Sequence, residues 1–203
     1  MKSIVLVGAG GHGKVVAEIA ELNGYTNISF LDNAYPDRLE NGAWNICGRP
    51  EELNFYISNG FDYTISIGNN ATRARMFFEM GEYKSPALIH PDAVVSRYAK
   101  IGSATVIAAN AVVNPEAKIG SGVIVNTSCT IDHDCEISKF AHVSPGAHIA
   151  GGVKIGERSW IGIGASIREG VTIGCDVIVA AGACVVKNIP DGVTVAGVPA
   201  KQV

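Results

Sequence analysis

Residues 124–155 read IVNTSCTIDHDCEISKFAHVSPGAHIAGGVKI, and an isoleucine or valine occupies every sixth position from Val125 to Ile155. The same register continues in both directions without a gap. Its members are Ile89, Val95, Ile101, Ile107, Val113, Ile119, Val125, Ile131, Ile137, Val143, Ile149, Ile155, Ile161, Ile167, Ile173, Val179 and Val185. A period of six fits neither a helix nor a long strand. It predicts a parallel β-helix in which each hexapeptide supplies one short strand and one turn.

Two neighbouring registers agree with this interpretation. Small or β-branched residues stand two places before each aliphatic, and we interpret Cys129 and Cys135 in that register as packing residues. One place after the aliphatic, glycine, asparagine and aspartate are common, as at Gly102, and these residues tolerate tight corners. Three hexapeptides close one coil, so residues eighteen apart should stack at about 4.8 Å. The run is long enough for between five and six coils.

Composition excludes several classes of protein. The chain has 203 residues, of which 47% are hydrophobic and 17% charged, so it is not a disordered chain. The net charge is −3 and no basic patch stands out, so we expect no nucleic-acid partner. Apolar runs are far shorter than the roughly 18 residues of a membrane span, and we expect none. Five cysteines, an odd number without a CxxC motif, argue against a disulfide framework and favour the cytoplasm.

The first eighty-odd residues predict a different domain, and we place the boundary between residues 85 and 86. We predict strands at 3–7, 28–31 and 63–67, helices at about 12–23, 51–58 and 71–80, a polar loop at 33–50 and a linker at 84–91. Alternating strands and helices indicate a small parallel α/β sheet, comparable to half of a Rossmann fold. Residues 1–85 would then be a substrate-binding domain in front of a β-helix at 86–203.

A glycine-rich turn follows the first predicted strand. Gly8, Gly10 and Gly13 satisfy GxGxxG, and Asp32 lies where a ribose-binding acid would sit. About eighty residues supply only one of the two halves of a dinucleotide fold, so a mononucleotide or a nucleotide-linked substrate fits better than NAD. Glycines let a backbone approach a phosphate closely, and a helix N-terminus favours the phosphate charge. A glycine turn that binds nothing is the alternative.

Six motifs together point to a known family. They are GAGGHGK (8–14), FLDN (30–33), SIGNN (66–70), NTSCTIDHDCEI (126–137), HVSPGAHIAGGVKIG (142–156) and AGVPAK (196–201). On these motifs the chain resembles the sialic-acid O-acetyltransferase-like sugar O-/N-acyltransferases, which have a left-handed β-helix, and within them the nucleotide-sugar 4-amino N-acetyltransferases. The resemblance implies a homotrimer with active sites between subunits. It also implies acetyl-CoA as cosubstrate, a nucleotide-linked amino sugar on the N-terminal domain, and no metal.

The resemblance implies roles for individual residues. His133 would be the general base, and Asp134, where close relatives have glutamate, would tune it. His142 would contact acetyl-CoA near the thioester. Further acetyl-CoA contacts would come from Gly151, Ile163 and Ala181. The nucleotide sugar would contact Gly10, Gly11, His12, Asp32, Asn33 and Gly68. Independently of the resemblance, the basic residues Lys187, Lys201 and Arg168 are candidates for the CoA phosphates, and a solvated face is the alternative.

The chemistry itself also selects His133. Acyl transfer to an amine needs a base that works near neutral pH, which suits histidine. His133 stands between Asp132 and Asp134, and a carboxylate beside a histidine can fix its tautomer and raise its basicity. His142 is nine residues away, half of one coil, so the two rings should lie on different sides of the prism, on the order of 10–15 Å apart. We therefore expect His142 of one chain to approach His133 of a neighbour. A solvated His133 and a packed His142 are the structural alternatives.

Four functions remain open at this stage. The first is N-acetylation of a nucleotide-linked 4-amino deoxysugar, and the second is O-acetylation of a sialic acid or similar sugar, which needs the same base. The third is a γ-carbonic anhydrase-type zinc enzyme, whose pattern the spacing of His133, His142 and His148 does not match. The fourth is a non-enzymatic nucleotide-sugar-binding trimer. The sequence identifies neither the nucleotide (UDP, dTDP or GDP) nor the sugar and the position acylated.

Overall fold

In a computed structural model that describes residues 2–80 and 85–203, an α/β domain precedes a long β-helix. The helices are α1 (Gly11–Leu22), α2 (Leu53–Ser58) and α3 (Asn70–Glu79), and a 3₁₀ turn covers Pro50–Glu52. The strands of the α/β domain are β1 (Ser3–Val7), β2 (Asn27–Leu31), β3 (Glu40–Asn41), β4 (Trp44–Gly48) and β5 (Asp62–Ile65). Those of the β-helix are β6 (Leu88–Ile89), β7 (Val94–Val95), β8 (Lys100–Ile101), β9 (Val106–Ile107), β10 (Val112–Val113), β11 (Lys118–Ile119), β12 (Ile124–Val125), β13 (Thr130–Ile131), β14 (Glu136–Ile137), β15 (His142–Val143), β16 (His148–Ile149), β17 (Lys154–Ile155), β18 (Trp160–Ile161), β19 (Ser166–Ile167), β20 (Thr172–Ile173), β21 (Ile178–Val179), β22 (Cys184–Val185), β23 (Thr194–Ala196) and β24 (Lys201–Gln202).

The α/β domain has one five-stranded sheet in the order β3-β4-β2-β1-β5. β1 runs parallel to β2 and to β5, and β2 runs parallel to β4, so the predicted parallel α/β sheet is confirmed. The strands β2, β4 and β3 lie on one side of β1 and β5 lies on the other, so the strand order reverses between β1 and β5. In such sheets, ligands bind in the crevice outside the carboxyl ends of the strands at this reversal.

The prediction of a loop at residues 33–50 was wrong. This stretch contains β3 and β4, which form an antiparallel hairpin around Gly42, where φ is +71°. Only Ile46 of β4 supplies a large buried side chain, so the sequence shows too short an apolar pattern for a strand. The strand β4 forms because it pairs with β2, with Ile46 opposite Phe30. The predicted linker at 84–91 begins outside the described residues, and its residues Leu88–Ile89 form the first strand of the β-helix.

The predicted β-helix is confirmed strand by strand. Each of the seventeen strands β6–β22 has two residues, and the second is always the periodic aliphatic. Residues eighteen apart pair in parallel, as Thr130 does with His148 and His142 with Trp160. The strands form three sheets: sheet I (β6, β9, β12, β15, β18, β21, β23 and β24), sheet II (β7, β10, β13, β16, β19 and β22) and sheet III (β8, β11, β14, β17 and β20). Cys129 and Cys135 are fully buried in the shared core, as predicted, and burial raises the pKa of Cys129 to about 12.

The corners of the coil do not lie where the sequence suggested. Positive φ occurs three places after the aliphatic, in a periodic series with φ from +55° to +69°. The members are Ala104, Asn110, Glu116, Gly122, Ser128, Asp134, Phe140, Gly146, Gly152, Arg158, Gly164, Gly170, Asp176 and Gly182. The glycines one place after the aliphatic have another purpose: a Cβ on Gly102 would lie 2.5 Å from the backbone nitrogen of Ser121 in the next coil. Small residues there let successive coils stack closely.

The α/β domain packs on the first coils of sheet I. Leu88, Val106 and Ala108 share a buried cluster with Ile4 and Val16 of the α/β domain. Further along the same sheet, Trp160 and Ile178 are exposed. Sheet III carries an outward row of charges in which Lys118 and Lys154 flank Glu136. Within residues 2–80 and 85–203, every helix is too short or too polar to span a bilayer.

Candidate functional site

His133 lies on an exposed corner directly after β13. Its Nδ1 is 2.8 Å from Asp134 Oδ2, and a carboxylate only accepts, so Nδ1 carries the proton and donates it. Asp132 accepts from the His133 backbone N–H at 2.8 Å and from the Asn114 side chain at 2.8 Å, which fixes the turn. The hydrogen bond to Asp134 and the negative charge of Asp132 raise the pKa of His133. The imidazole therefore presents a basic Nε2 to whatever binds at this corner.

Gly151 lies one coil beyond His133, against the face of its ring. A Cβ on Gly151 would lie 2.7 Å from Cε1 and 2.8 Å from Nε2 of His133. The missing side chain is therefore what lets the ring lie flat across the next coil. The predicted acetyl-CoA residue Gly151 adjoins the predicted base.

Replacing Gly151 by alanine is expected to displace the His133 ring while leaving the fold intact, because the crowded atoms belong to an exposed side chain. The hydrogen bond to Asp134 should weaken, so the pKa of His133 should fall toward its ordinary value. Turnover should fall about 10-fold or more, in line with the sensitivity of catalysis to misplaced groups. Titration of the histidine ring protons by NMR and a turnover assay would check both effects. An unchanged His133 pKa would contradict this account of Gly151.

A second group of rings lies where the α/β domain meets the β-helix. His12 at the start of α1 lies 6.5 Å, between ring centroids, from His142 on β15, and His142 stacks on Trp160 at 5.7 Å with 3° between the planes. Asn126 donates from Nδ2 to His142 Nε2 at 3.1 Å, and its Oδ1 accepts from the Thr127 backbone N–H, which sets the orientation of the amide. Neutral His142 therefore carries its proton on Nδ1.

Two ring nitrogens in this group lack partners. His142 Nδ1 and His12 Nε2 are both buried, and neither has a hydrogen-bond partner among the described residues. An unsatisfied buried polar atom is costly, and in native proteins it is often completed by a ligand or water. His142, which is 8% exposed, thus offers an N–H donor at the junction of the two domains.

Burial keeps both histidines neutral. Burial, then the charge of Arg73, lowers the pKa of His12 to about 4. Burial, Arg73 and His12 lower that of His142 to about 3. The unfolded chain takes up these protons near pH 6.5, before the folded chain does, so acid favours unfolding. This contribution to stability is complete above pH 6.5 and is lost as the pH falls toward 4.

The free energy of unfolding is therefore expected to fall by up to about 1.4 kcal/mol per pH unit for each histidine below pH 6.5. Urea unfolding at a series of pH values would measure this slope. The double variant His12→Gln with His142→Asn removes both titrating groups and should have a shallower slope. Equal slopes in the two proteins would contradict the assignment of neutral rings.

A cleft of about 660 Å³ opens at the carboxyl ends of β1 and β2. Its lining includes Gly8, Asp32, Asn33, Ile67 and Thr72. This is the position expected for a ligand in a parallel sheet that reverses its strand order beside β1. The predicted residues Asp32 and Asn33 thus line the cleft.

The remaining predicted sugar residues lie beside it. Gly10, Gly11, His12 and Gly68 do not line the cleft. Side chains added at Gly10 or Gly11 would meet nothing within 4 Å, so the turn faces open space, and a Cβ added at Gly68 would lie 4.0 Å from the Cβ of His12. Asp32 is held by the protein itself: its Oδ2 accepts from the Ala9 N–H at 2.7 Å, and its Oδ1 from the Ala34 N–H at 2.9 Å. Its carboxylate fixes the glycine turn.

The predicted acetyl-CoA residues fall in different places. Ile163 and Ala181 are exposed one coil apart on the corner between sheets I and II. His133 and Gly151 lie on the corner between sheets II and III, so one whole face of the prism separates the two sets. Lys187 and Lys201 are exposed near the end of the β-helix. Within the described ranges, no three histidine, cysteine, aspartate or glutamate side chains are grouped to hold a metal ion.

Sequence reasoning missed the polar residues that support these rings. Asn126 orients His142, Asn114 orients Asp132, and Ser144 accepts from Trp160 Nε1 at 2.7 Å. The eighteen-residue register carried a signal for Asn114, which stacks beside Asp132. The sequence contains no pattern that predicts the contacts of Arg73 on α3, because most of its partners are backbone carbonyls.

Comparison with known proteins finds similar chains. Residues 3–80 match the family described as the PglD N-terminal domain. A UDP-N-acetylbacillosamine N-acetyltransferase from Bacillus subtilis (strain 168) is 39% identical over 113 residues, which is 53% of this chain and 51% of that protein. The match therefore spans about half the length of this curated relative.

Two solved structures are similar along the full length. The acetyltransferase domain of PglB from Neisseria gonorrhoeae FA1090, in complex with acetyl coenzyme A, is 45% identical, with coverage of 100% of this chain and 99% of that one and a TM-score of 0.95. The perosamine N-acetyltransferase from Caulobacter crescentus, solved as a histidine-to-asparagine variant with CoA and GDP-perosamine, is 34% identical, with coverage of 100% and 97% and a TM-score of 0.94. The fold is the left-handed β-helix that the motifs implied, behind a small α/β domain.

Proposed function

This chain belongs to the nucleotide-sugar N-acetyltransferase family, and from that membership we propose that it transfers the acetyl group of acetyl-CoA to the amino group of a nucleotide-linked 4-amino deoxysugar. The observation that carries the proposal is the His133–Asp134 pair, in which a carboxylate holds one ring nitrogen and leaves Nε2 as a base. A product of this kind would serve glycan biosynthesis.

In the proposed reaction, His133 Nε2 removes a proton from the attacking amine. The amine nitrogen bonds to the thioester carbonyl carbon, the C–S bond breaks, and CoA leaves as a thiolate, which takes up the proton that the His133 imidazolium releases. Asp134 stabilises the imidazolium while the proton is held. Because the thiolate is a good leaving group, transfer is direct and needs no covalent intermediate on the enzyme.

We assign the donor side to sheet I and its corner with sheet II. The proposed role of His142 is to donate its Nδ1–H, which has no partner among the described residues, to an acceptor atom of acetyl-CoA near its thioester. The exposed Ile163 and Ala181 offer a surface for the pantetheine arm. Lys187 and Lys201 are the proposed partners of the CoA phosphates.

We assign the nucleotide sugar to the α/β domain. The cleft beside Asp32 and Asn33 has the volume of a small-molecule site. The open turn at Gly10 and Gly11, at the start of α1, suits a phosphate because its backbone can approach closely. His12 and Gly68 lie between this turn and the β-helix, where the sugar would meet the acetyl donor.

We further propose a homotrimer. His133 and His142 lie on different sides of one prism, so one chain does not place both at one reacting centre, whereas a neighbour related by a three-fold axis supplies the missing residue. Light scattering should give three times the chain mass of 21.2 kDa. A monomer at working concentration would contradict the trimer. The proposed location is the cytoplasm, where acetyl-CoA is available and five free thiols are stable.

The proposal is tested by release of the CoA thiol from acetyl-CoA with three acceptors: UDP-N-acetylbacillosamine, GDP-perosamine and free sialic acid. We expect release with at least one nucleotide-linked amino sugar and none with sialic acid. Release with sialic acid alone would establish O-acetylation instead. Binding of the nucleotide sugars without release would indicate a binding protein rather than an enzyme.

A further inference from the structure

Arg73 of α3 is buried at the junction of the two domains. It is 2% exposed, and it donates to backbone carbonyls of both domains. Its Nη1 donates to Ile67 O and Gly68 O, each at 3.0 Å, in the loop that follows β5. Its Nε and Nη2 donate to Gly122 O at 2.8 Å and Phe140 O at 2.7 Å in the β-helix. One side chain thus bridges the substrate loop and the coil.

The β-helix carbonyls that Arg73 and Asn70 bind at the shortest distances belong to one corner of the prism. Gly122, Phe140 and Arg158 follow one another at eighteen-residue intervals, and all three have positive φ. The hydrogen bonds between coils do not use these carbonyls. Asn70 extends the contact, because its Nδ2 donates to Arg158 O at 2.9 Å while its Oδ1 accepts from Arg73. We call Arg73 and Asn70 the corner clasp.

The cation of the clasp, the Arg73 guanidinium, is buried without a carboxylate partner among the described residues. Within residues 2–80 and 85–203, Arg73 makes no salt bridge. A buried charge without a counterion lowers the stability of the folded chain, because it loses its hydration. An apolar residue would avoid this cost, but several buried carbonyls would then lose their hydrogen-bond donors. What the guanidinium supplies in place of an ion pair is a set of directed hydrogen bonds that fix the loop relative to the coil. The clasp leads directly into the ring group, since Phe140 and His142 lie on the same short segment.

We propose that Arg73 is a positioning residue, which fixes the loop at Gly68 and the neighbouring His12 relative to His142, so that the amino sugar and the acetyl donor meet in register. The inference rests on the proposed function. Most of each proposed binding surface lies outside the clasp, in the cleft at Asp32 and Asn33 for the nucleotide sugar and at Ile163 and Ala181 for acetyl-CoA. Loss of the clasp should therefore separate the reacting atoms more than it weakens the binding of either substrate. Misplacement by about 1 Å can lower a reaction rate about 10²-fold.

The kinetic test compares Arg73→Gln with Lys118→Gln. Lys118 is the control because its removal also deletes one positive charge, while its exposed side chain pairs with Glu136 at 3.2 Å on sheet III, away from the clasp. For Arg73→Gln we expect kcat to fall about 10²-fold while KM for acetyl-CoA and for the nucleotide sugar changes little. Arg73→Lys should restore part of the rate. For the control we expect kcat within about twofold of the parent, since exposed pairs contribute little. An unchanged kcat, or a rise in KM alone, would overturn the proposal.

Hydrogen exchange tests the clasp without any substrate. In Arg73→Lys, we expect faster exchange in peptides covering residues 66–73 and 138–144, and unchanged exchange in sheet III. If the exchange rates of these peptides in Arg73→Lys equal those of the parent protein, the clasp is refuted. This result can be obtained even if Arg73→Gln fails to fold. Absence of acetyl transfer by the parent protein, with local exchange changes in the variant, would refute the proposed function and the positioning of reactants, but leave the contact itself established.

Discussion

Replacing His133 by alanine is expected to lower kcat by about 10²–10⁴-fold, which is the usual contribution of a general base. Acetyl-CoA and the nucleotide sugar should still bind, because His133 is an exposed side chain and its removal leaves both binding surfaces unchanged. Stopped-flow or steady-state thiol release, together with calorimetric binding of each substrate, would separate the two effects. Unchanged turnover would remove His133 from the mechanism.

Asp134→Asn is the companion variant, which changes the pKa of His133 without removing the imidazole. The base acts when deprotonated, and the pKa of His133 is raised by its hydrogen bond to Asp134. The acid limb of the kcat/KM profile should therefore lie above pH 6.5 in the parent protein and move to lower pH in Asp134→Asn. A limb that does not move would show that another group limits the rate at acid pH.

Replacing Gly156 by alanine is expected to produce the largest loss of stability, about 3 kcal/mol or more, because the new methyl group overlaps backbone and not a movable side chain. A Cβ at Gly156 would lie 2.5 Å from the backbone nitrogen of Cys175 in the next coil. The coils would have to separate at this corner. Urea unfolding followed by circular dichroism would measure the loss.

Gly170→Asn is the control. Gly170 has φ of +67° and open space around it, and asparagine already occupies an equivalent corner at Asn110 with φ of +57°. The free energy of unfolding should change by less than about 1 kcal/mol, since asparagine tolerates this conformation. If both variants lose equal stability, crowding is not the reason for glycine at position 156.

The strands of the β-helix could be predicted from the sequence because their spacing is rigid. Every coil has the same length of eighteen residues. One register of aliphatic residues therefore locates all seventeen strands β6–β22. The corners could not be assigned in the same way. Phe140, Glu116 and Arg158 adopt positive φ although their side chains do not favour it, so the coil imposes the conformation and composition does not reveal it.

The candidate site divides along the same line. The two aspartates beside His133 are adjacent to it in sequence, and this local pattern predicted the contact between the ring and Asp134 that the structure contains. The position of Gly151 against that ring depends on the stacking of successive coils. The spacing of eighteen residues between His133 and Gly151 can be read from the sequence, but the contact between them cannot. The junction of His12, His142 and Arg73 depends on how one domain rests on the other, and no local pattern encodes that arrangement.

The eighteen-residue register restricts how this molecule can change in length. Inserting six residues into the coil would turn every later side chain onto the next face, so that Trp160 would no longer stack on His142. Inserting eighteen would preserve all faces and lengthen the prism by about 4.8 Å. Any other insertion has to leave the coil as an outward loop, so the chain can lengthen without changing its faces only by whole turns or by loops at the corners.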